Sequence, residues 1–140
     1  MTLRQAQHRL SIGTRGRGFS DLTRSIAQWI TQTGIQTGQV SVFCRHTSAS
    51  LLIQENADPT VLEDFETTWS RLAPDGSHYA HDTEGPDDMA AHLRTALTHT
   101  SLVIPVADGR MVLGTWQAIY LWEHRTAPHR REIVLHIIGA

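Results

Sequence analysis

The chain has a single cysteine, Cys44, among 140 residues. No internal disulfide can form, and a reducing, cytoplasmic setting is the expectation. An excess of either charge is also missing: 12 Lys+Arg against 14 Asp+Glu give a formal net charge of -2, leaving no basic footprint for nucleic acid. No stretch approaches the roughly 18–20 consecutive apolar residues of a membrane span. The opening segment MTLRQAQHRLSIGTRGRGF contains no apolar core of the kind a secretory leader needs. The patterns GxSxG, GxxxxGK[ST] and GxGxxG are absent, which removes the usual hydrolase, NTPase and dinucleotide readings. The run Gly13-Thr-Arg-Gly-Arg-Gly-Phe is glycine-rich but has no Walker lysine. No linker, repeat or biased tract divides the chain, so one domain over residues 1–140 is expected. With 40% hydrophobic and 19% charged residues, it has the composition of a soluble globular protein with a proper core.

Histidine and acid are present in unusual density. From His78 to His92 the chain reads HYAHDTEGPDDMAAH, which holds His78, His81 and His92 together with Asp82, Glu84, Asp87 and Asp88. Imidazoles and carboxylates are what a divalent metal or an acid/base site requires. Asp88 and His92 lie four apart on an expected helix and are therefore neighbours. The spacing is not a standard zinc signature, and a polar loop with a satisfied histidine is the plainer alternative.

Periodicity outlines the elements. Leu3 to Ile12 alternates as a strand, and Gly13 to Gly18 breaks it. Phe19, Leu22, Ile26, Trp29 and Ile30 mark one face of a helix that starts near Ser20 or Asp21 and ends at Gly34. VSVFCRH and Ala49 to Glu55 read as strands. Asp58-Pro59 caps a helix whose apolar stripe is Val61, Leu62, Phe65, Trp69 and Leu72. Asp87 to Thr98 is a short helix with Met89, Leu93 and Leu97 inward. SLVIPVA and MVLGTW flank an Asp108-Gly109 hairpin turn, and Trp116 to His124 and Glu132 to Ile138 complete about six strands. Strands in consecutive runs favour an α+β fold with a largely antiparallel sheet covered by helices. The four tryptophans are assigned to cores or subunit interfaces.

Two further constellations carry chemistry. His46-Thr47-Ser48-Ala49-Ser50 ends a strand and offers hydroxyls and turn amides to a phosphate or carboxylate, unless those groups bond their own backbone. Glu123, His124 and Arg125 sit at another strand end. There alternation sends Glu123 and His124 to opposite faces, and a Glu123–Arg125 salt bridge is the competing reading. Cys44 reads as a buried small hydrophobe and His136 as a satisfied core or interface histidine.

Taken in order, HTSASL at His46–Leu51, ENADP at Glu55–Pro59, HDTEGPDDM at His81–Met89 followed by His92, SLVIPV, and GTWQ followed by EHR resemble the YjbQ family. The resemblance runs from about Arg17 to the C-terminus. Gln54, Ala90 and Ala118 depart from the expected Asn, Pro and Gly. It implies an α+β homotrimer with a His-rich site near subunit contacts, and weak thiamine-phosphate synthase activity, which joins a pyrimidine methyl pyrophosphate to a thiazole phosphate with release of pyrophosphate. It also strengthens His46, His81, Asp82, His92, Glu123 and His124 as site residues. Combined with the residue chemistry, the expectation is a divalent metal, Zn or Mg, on His46, His81 and His92. Asp82, Glu123 and His124 would then serve as catalytic groups, and Thr47, Ser48, Ser50 and Arg125 would hold an anionic or phosphorylated small molecule. The alternative is a non-catalytic trimeric binder of such an anion.

Overall fold

Alternating apolar residues in two long segments, β1 (Arg4–Gly13) and β8 (Arg130–Gly139), pair them antiparallel along their whole length. In this computed structural model, which describes residues 2–140, the other elements in chain order are β2 (Gly18–Asp21), α1 (Thr23–Thr33), β3 (Gly38–Cys44), β4 (Ala49–Glu55), α2 (Pro59–Leu72), α3 (Asp88–Ala96), β5 (Ser101–Ala107), β6 (Arg110–Met111) and β7 (Gln117–Glu123). The strands form two antiparallel sheets, one ordered β1-β8-β3-β5-β6 and the other β2-β7-β4. The expected α+β class is observed, with the strands divided between two sheets.

Strand parity sets the layers. Val40, Val42 and Cys44 of β3, Ile133, Leu135 and Ile137 of β8, and Ile119 and Leu121 of β7 share one buried core with Ile26, Trp29 and Ile30 of α1. The opposite face of β7 presents Tyr120 and Trp122 to Phe19, and Trp122 also to Phe65 and Trp69 of α2. β7 is therefore buried on both faces, between the five-stranded sheet and the layer of α2 and α3. Two places restrict the residue they can hold, one by backbone angle and one by space. Asp108-Gly109 turns from β5 to β6 with both φ angles positive, 53° and 74°, as a tight hairpin requires. At Gly38 an added Cβ would overlap the Ile138 carbonyl oxygen on the neighbouring strand.

Several expectations change. Phe19 lies in β2 opposite Trp122 and not on α1, which starts at Thr23 after the Asp21 carboxylate accepts from the Thr23 amide. Its three-residue spacing to Leu22 mimicked a helix. The MVLGTW strand stops at Met111, because Gly114 and Gln117 close a turn there and leave Trp116 61% exposed. The Asp58-Pro59 start is observed, with Asp58 capping the Thr60 amide, yet none of the α2 stripe is fully buried and Leu72 is 60% exposed. In α3 the buried face is Asp88, Ala91, Arg94 and Thr95 in place of Met89, Leu93 and Leu97, since this helix docks through a polar network. Cys44 is buried as expected, and burial raises its thiol pKa. Among the described residues no helix is long and apolar enough to cross a membrane.

Gly38→Ala forces β3 away from β8 and should cost about 3 kcal/mol, in the range of core overpacking. Gly13→Ala, with only the Arg130 guanidinium within 4 Å of the new methyl, should stay within about 0.5 kcal/mol. Urea midpoints at unchanged slope would show the difference.

Candidate metal centre

α3 begins with two acids, and its first turns carry a carboxylate and an imidazole on one face. Asp88 Oδ2 lies 3.4 Å from Nε2 of His92 on the next turn and 2.8 Å from Nε2 of His81, which arrives from the α2–α3 loop. One ligand atom from each residue falls within 4.8 Å of the others. Two ligands on one ion with bonds of about 2.1 Å are at most about 4.2 Å apart, so the group stands slightly open for a shared ion.

The surrounding groups orient these three. His92 Nδ1 donates to the Thr47 carbonyl at 2.9 Å, which leaves its Nε2 lone pair facing Asp88. Arg125 Nη1 holds the other Asp88 oxygen at 3.0 Å, while Arg125 Nε and the Thr126 amide both donate to Asp87 at 2.9 Å. Glu84 Oε2 stands 3.2 Å from His81 Nε2. Burial raises the Asp87 carboxyl, but Arg125 and Thr126 outweigh it and bring it down to about 2. Asp88 is likewise lowered on balance, by His81, His92 and Arg125 acting against burial. The His81 imidazole is raised, chiefly by its hydrogen bond to Asp88. Anionic carboxylates thus converge on imidazoles that want a cation or a proton.

A second polar cluster lies between the sheets. Glu123, 1% exposed, accepts from Arg131 Nε at 2.8 Å, from Arg131 Nη2, from Thr14 Oγ1 at 2.7 Å and from the Arg125 amide at 3.2 Å. Arg131 Nη2 also donates to Ser48 Oγ at 2.9 Å. His46 sits beside this pair, and its Nε2 accepts from the Glu132 amide at 2.8 Å. Burial and the Arg131 charge lower the His46 pKa.

The third cluster lies on the other face of β7. His124 is fully buried, Arg94 Nε donates to its Nδ1 at 3.0 Å, and its Nε2 meets Ser50 Oγ at 2.7 Å. With Nδ1 an acceptor, the neutral ring carries its proton on Nε2 and donates it to Ser50. This is the reverse of the polarity that a serine nucleophile needs from its base. Thr98 Oγ1 also reaches Ser50 at 2.6 Å, and Arg94 continues to Glu66 at 2.6 Å and Ser70 at 3.1 Å.

The structure brings His81 and His92 together and surrounds them with Arg125 and the Thr47 carbonyl. His46 is outside the ligand group, its Nε2 consumed by a backbone N–H, and Asp88 takes its place. Asp82 is exposed at the loop surface and lies outside the ligand group, and exposed His78 packs on Tyr79. Ser48 and Ser50 spend their hydroxyls on Arg131, His124 and Thr98, and Arg125 spends its guanidinium on Asp87 and Asp88. Glu123 and His124 do occupy opposite faces, but neither borders the ligand group. Asp88 was detectable from its spacing to His92. Arg94 and Arg131 carried no sequence signal, because nothing in a surface-type residue announces burial against an acid 28 positions away on another helix or on a strand of the other sheet.

Burial first, then Arg94, Arg17 and Arg131, push His124 down to about 2 from an ordinary 6.5. The unfolded chain therefore binds more protons than the folded one below about pH 6.5. Stability is full above that pH and is lost as acid is added. Lowered Glu123 and Asp87 add further loss below their ordinary 4.5 and 3.8. Urea unfolding should show stability falling from about pH 6.5, at up to about 1.4 kcal/mol per pH unit. In His124→Gln the loss between pH 6.5 and the carboxylate range should shrink to the part that the lowered His46 contributes. A loss of unchanged size in that variant would contradict the assignment.

Residues 8–140 match the family described as UPF0047 protein YjbQ-like. A UPF0047 protein of Synechocystis is 51% identical over 99% of this chain and 95% of its own length. The UPF0047 protein YjbQ of Escherichia coli O157:H7 is 41% identical over 95% of this chain and 97% of its own. Among solved structures, an uncharacterized conserved protein of the yjbq/upf0047 family from Clostridium acetobutylicum superposes with a TM-score of 0.83 at 32% identity, covering 94% of this chain and 98% of that one. A YbjQ-like protein of unknown function from Sulfolobus solfataricus has the same fold, with a TM-score of 0.91 at 24% identity over 99% and 100% of the two chains. On these matches, and on the motifs that form its three polar clusters, the chain belongs to the YjbQ-like UPF0047 family.

Proposed function

We propose that the chain binds one divalent metal ion at His81, Asp88 and His92 and uses it to engage an oxygen of a small anionic metabolite. The convergence of two imidazole nitrogens and a buried carboxylate oxygen carries this reading. Two nitrogens and one oxygen suit zinc, manganese or iron; magnesium prefers an all-oxygen shell. Three protein ligands leave positions open, the arrangement of catalytic and not of closed structural sites. A metal ion bound there supplies Lewis acidity to a phosphoryl or carboxyl oxygen and offsets the charge of a departing pyrophosphate. The chain's own part is to hold His92 through Thr47, to fix Asp88 and Asp87 through Arg125, and to keep Glu84 beside the opening. The narrower proposal, thiamine-phosphate synthase-like transfer, rests on the family resemblance. One observation favours the alternative of a non-catalytic binder: Glu123 and His124, the expected proton-transfer groups, are both buried and internally satisfied.

Chelator-washed protein should take up one zinc per chain in calorimetry, and His81→Ala or Asp88→Asn should weaken binding by about a hundredfold or more, a ligand counting for at least as much as the 10–100-fold of an outer partner. His81 must lose its proton to bind and its pKa is raised, so affinity should fall as pH drops through neutrality. Uptake that is equal in wild type and both variants would end the proposal. Metal readdition that restores pyrophosphate release from the pyrimidine substrate would select the enzyme over the binder.

We further propose the homotrimer. Phe43 and Val103, 47% and 56% exposed, lie on the uncovered face of the five-stranded sheet, and Leu72 and Trp116 are exposed elsewhere. Phe43 and Val103 on that face are where a second copy would bury apolar surface. Light scattering at micromolar concentration should report about three times 15.6 kDa; a clean monomer would refute it.

A further inference from the structure

A backbone N–H can only donate, so the Glu132 amide 2.8 Å from His46 Nε2 requires a lone pair on that nitrogen. A neutral imidazole then carries its proton on Nδ1. His46 Nδ1 is 3.4 Å from Arg131 Nη1, which is also a donor. Accepting from Arg131 would need lone pairs on both ring nitrogens, an imidazolate. A flipped ring would instead present carbon to the Glu132 amide. Two N–H donors therefore meet here with no acceptor between them. The other Arg131 nitrogens are committed to Glu123 and Ser48.

His46 and Arg131 both line a cavity of about 340 Å³ that is completed by Arg9, Ser11, Arg130 and Glu132. Arg9 and Arg45 share the single Glu132 carboxylate at 2.7 and 3.0 Å, and Glu123 is taken by Arg131. Arg130 reaches only Ser11 Oγ, at 3.1 Å, and pairs with no carboxylate among the described residues. Four guanidiniums thus face two carboxylates around a pair of unanswered donors, a setting built for an acceptor with negative charge.

We propose that this cavity is a binding site for the oxyanion group of a small metabolite, a phosphate or carboxylate oxygen accepting together from His46 Nδ1–H and Arg131 Nη1–H, with Arg130 supplying further charge. His46 also lines a second cavity, of about 320 Å³, whose wall includes His92, so it adjoins the space beside the metal centre. The oxyanion site needs no metal, and it stands or falls independently of the ion at His81, Asp88 and His92.

The test uses chelator-treated full-length protein and long-range ¹H–¹⁵N spectra of its imidazoles at constant ionic strength, titrated with inorganic phosphate and separately with acetate. The free protein should show His46 as the Nδ1–H tautomer, and its resonances should move saturably. Exposed Arg130 can be replaced without disturbing the core, and Arg130→Ala should weaken the apparent Kd about tenfold, as loss of a charged hydrogen bond does. Saturation by phosphate alone assigns a phosphorylated ligand, and saturation by acetate as well extends the site to carboxylates. An Nε2–H tautomer, no saturable shift with either anion, or binding equal in wild type, Arg130→Ala and Arg9→Ala would overturn the proposal.

Discussion

The two sheets are joined at one end by a charge pair taken out of water. Moving Glu123 and Arg131 into the interior costs several kcal/mol per ion unless every donor and lone pair is met. Here that condition organises four separate segments. Thr14 from the end of β1, Ser48 from the β3–β4 loop, Arg131 from β8 and the Arg125 amide after β7 all converge on the pair. Removing either ion strands the other, and the strand ends that carry both His46 and Arg125 lose their common anchor.

β7 transmits this constraint outward. One residue after Glu123, strand alternation points His124 to the opposite layer, where Arg94 grips it from α3. Arg94 is itself held by Glu66 and Ser70 of α2, and the Trp122 indole donates to the same Glu66 at 2.8 Å. α3 is thereby fixed about its own axis. Asp88 and His92, six and two residues earlier on the same helix, inherit their directions from that fixed arginine. The chemistry on the first turns of the helix rests on an ion network around its last.

Periodicity and turn chemistry made much of the fold legible. β4, the Asp58 cap, the Asp-Gly hairpin and the long terminal strand are all local signals read from adjacent residues. Failures came where distant contacts overrode local pattern. Phe19 was assigned to a helix because β2 is only four residues long and shares its spacing with α1. The α3 face was assigned to Met89, Leu93 and Leu97 because burial of Arg94 and Asp88 depends on partners contributed by α2 and β7. In the site, His81 and His92 were visible as imidazoles in an acidic stretch. His46 was misassigned as their third partner, because its tie to the Glu132 amide spans the sheet and leaves no trace in spacing.

Arg125 occupies the place beside Asp88 that a metal ion's charge would otherwise have to fill. Small metal-dependent folds collapse when their ion is withdrawn, because nothing else neutralises the ligands. In this chain a guanidinium stays as a permanent counterion on the second carboxylate oxygen, so the scaffold is complete without an ion, and the metal proposed for it would be an exchangeable visitor. A centre of that kind would trade tightness for reversibility, its occupancy following the surrounding supply of metal instead of the history of folding.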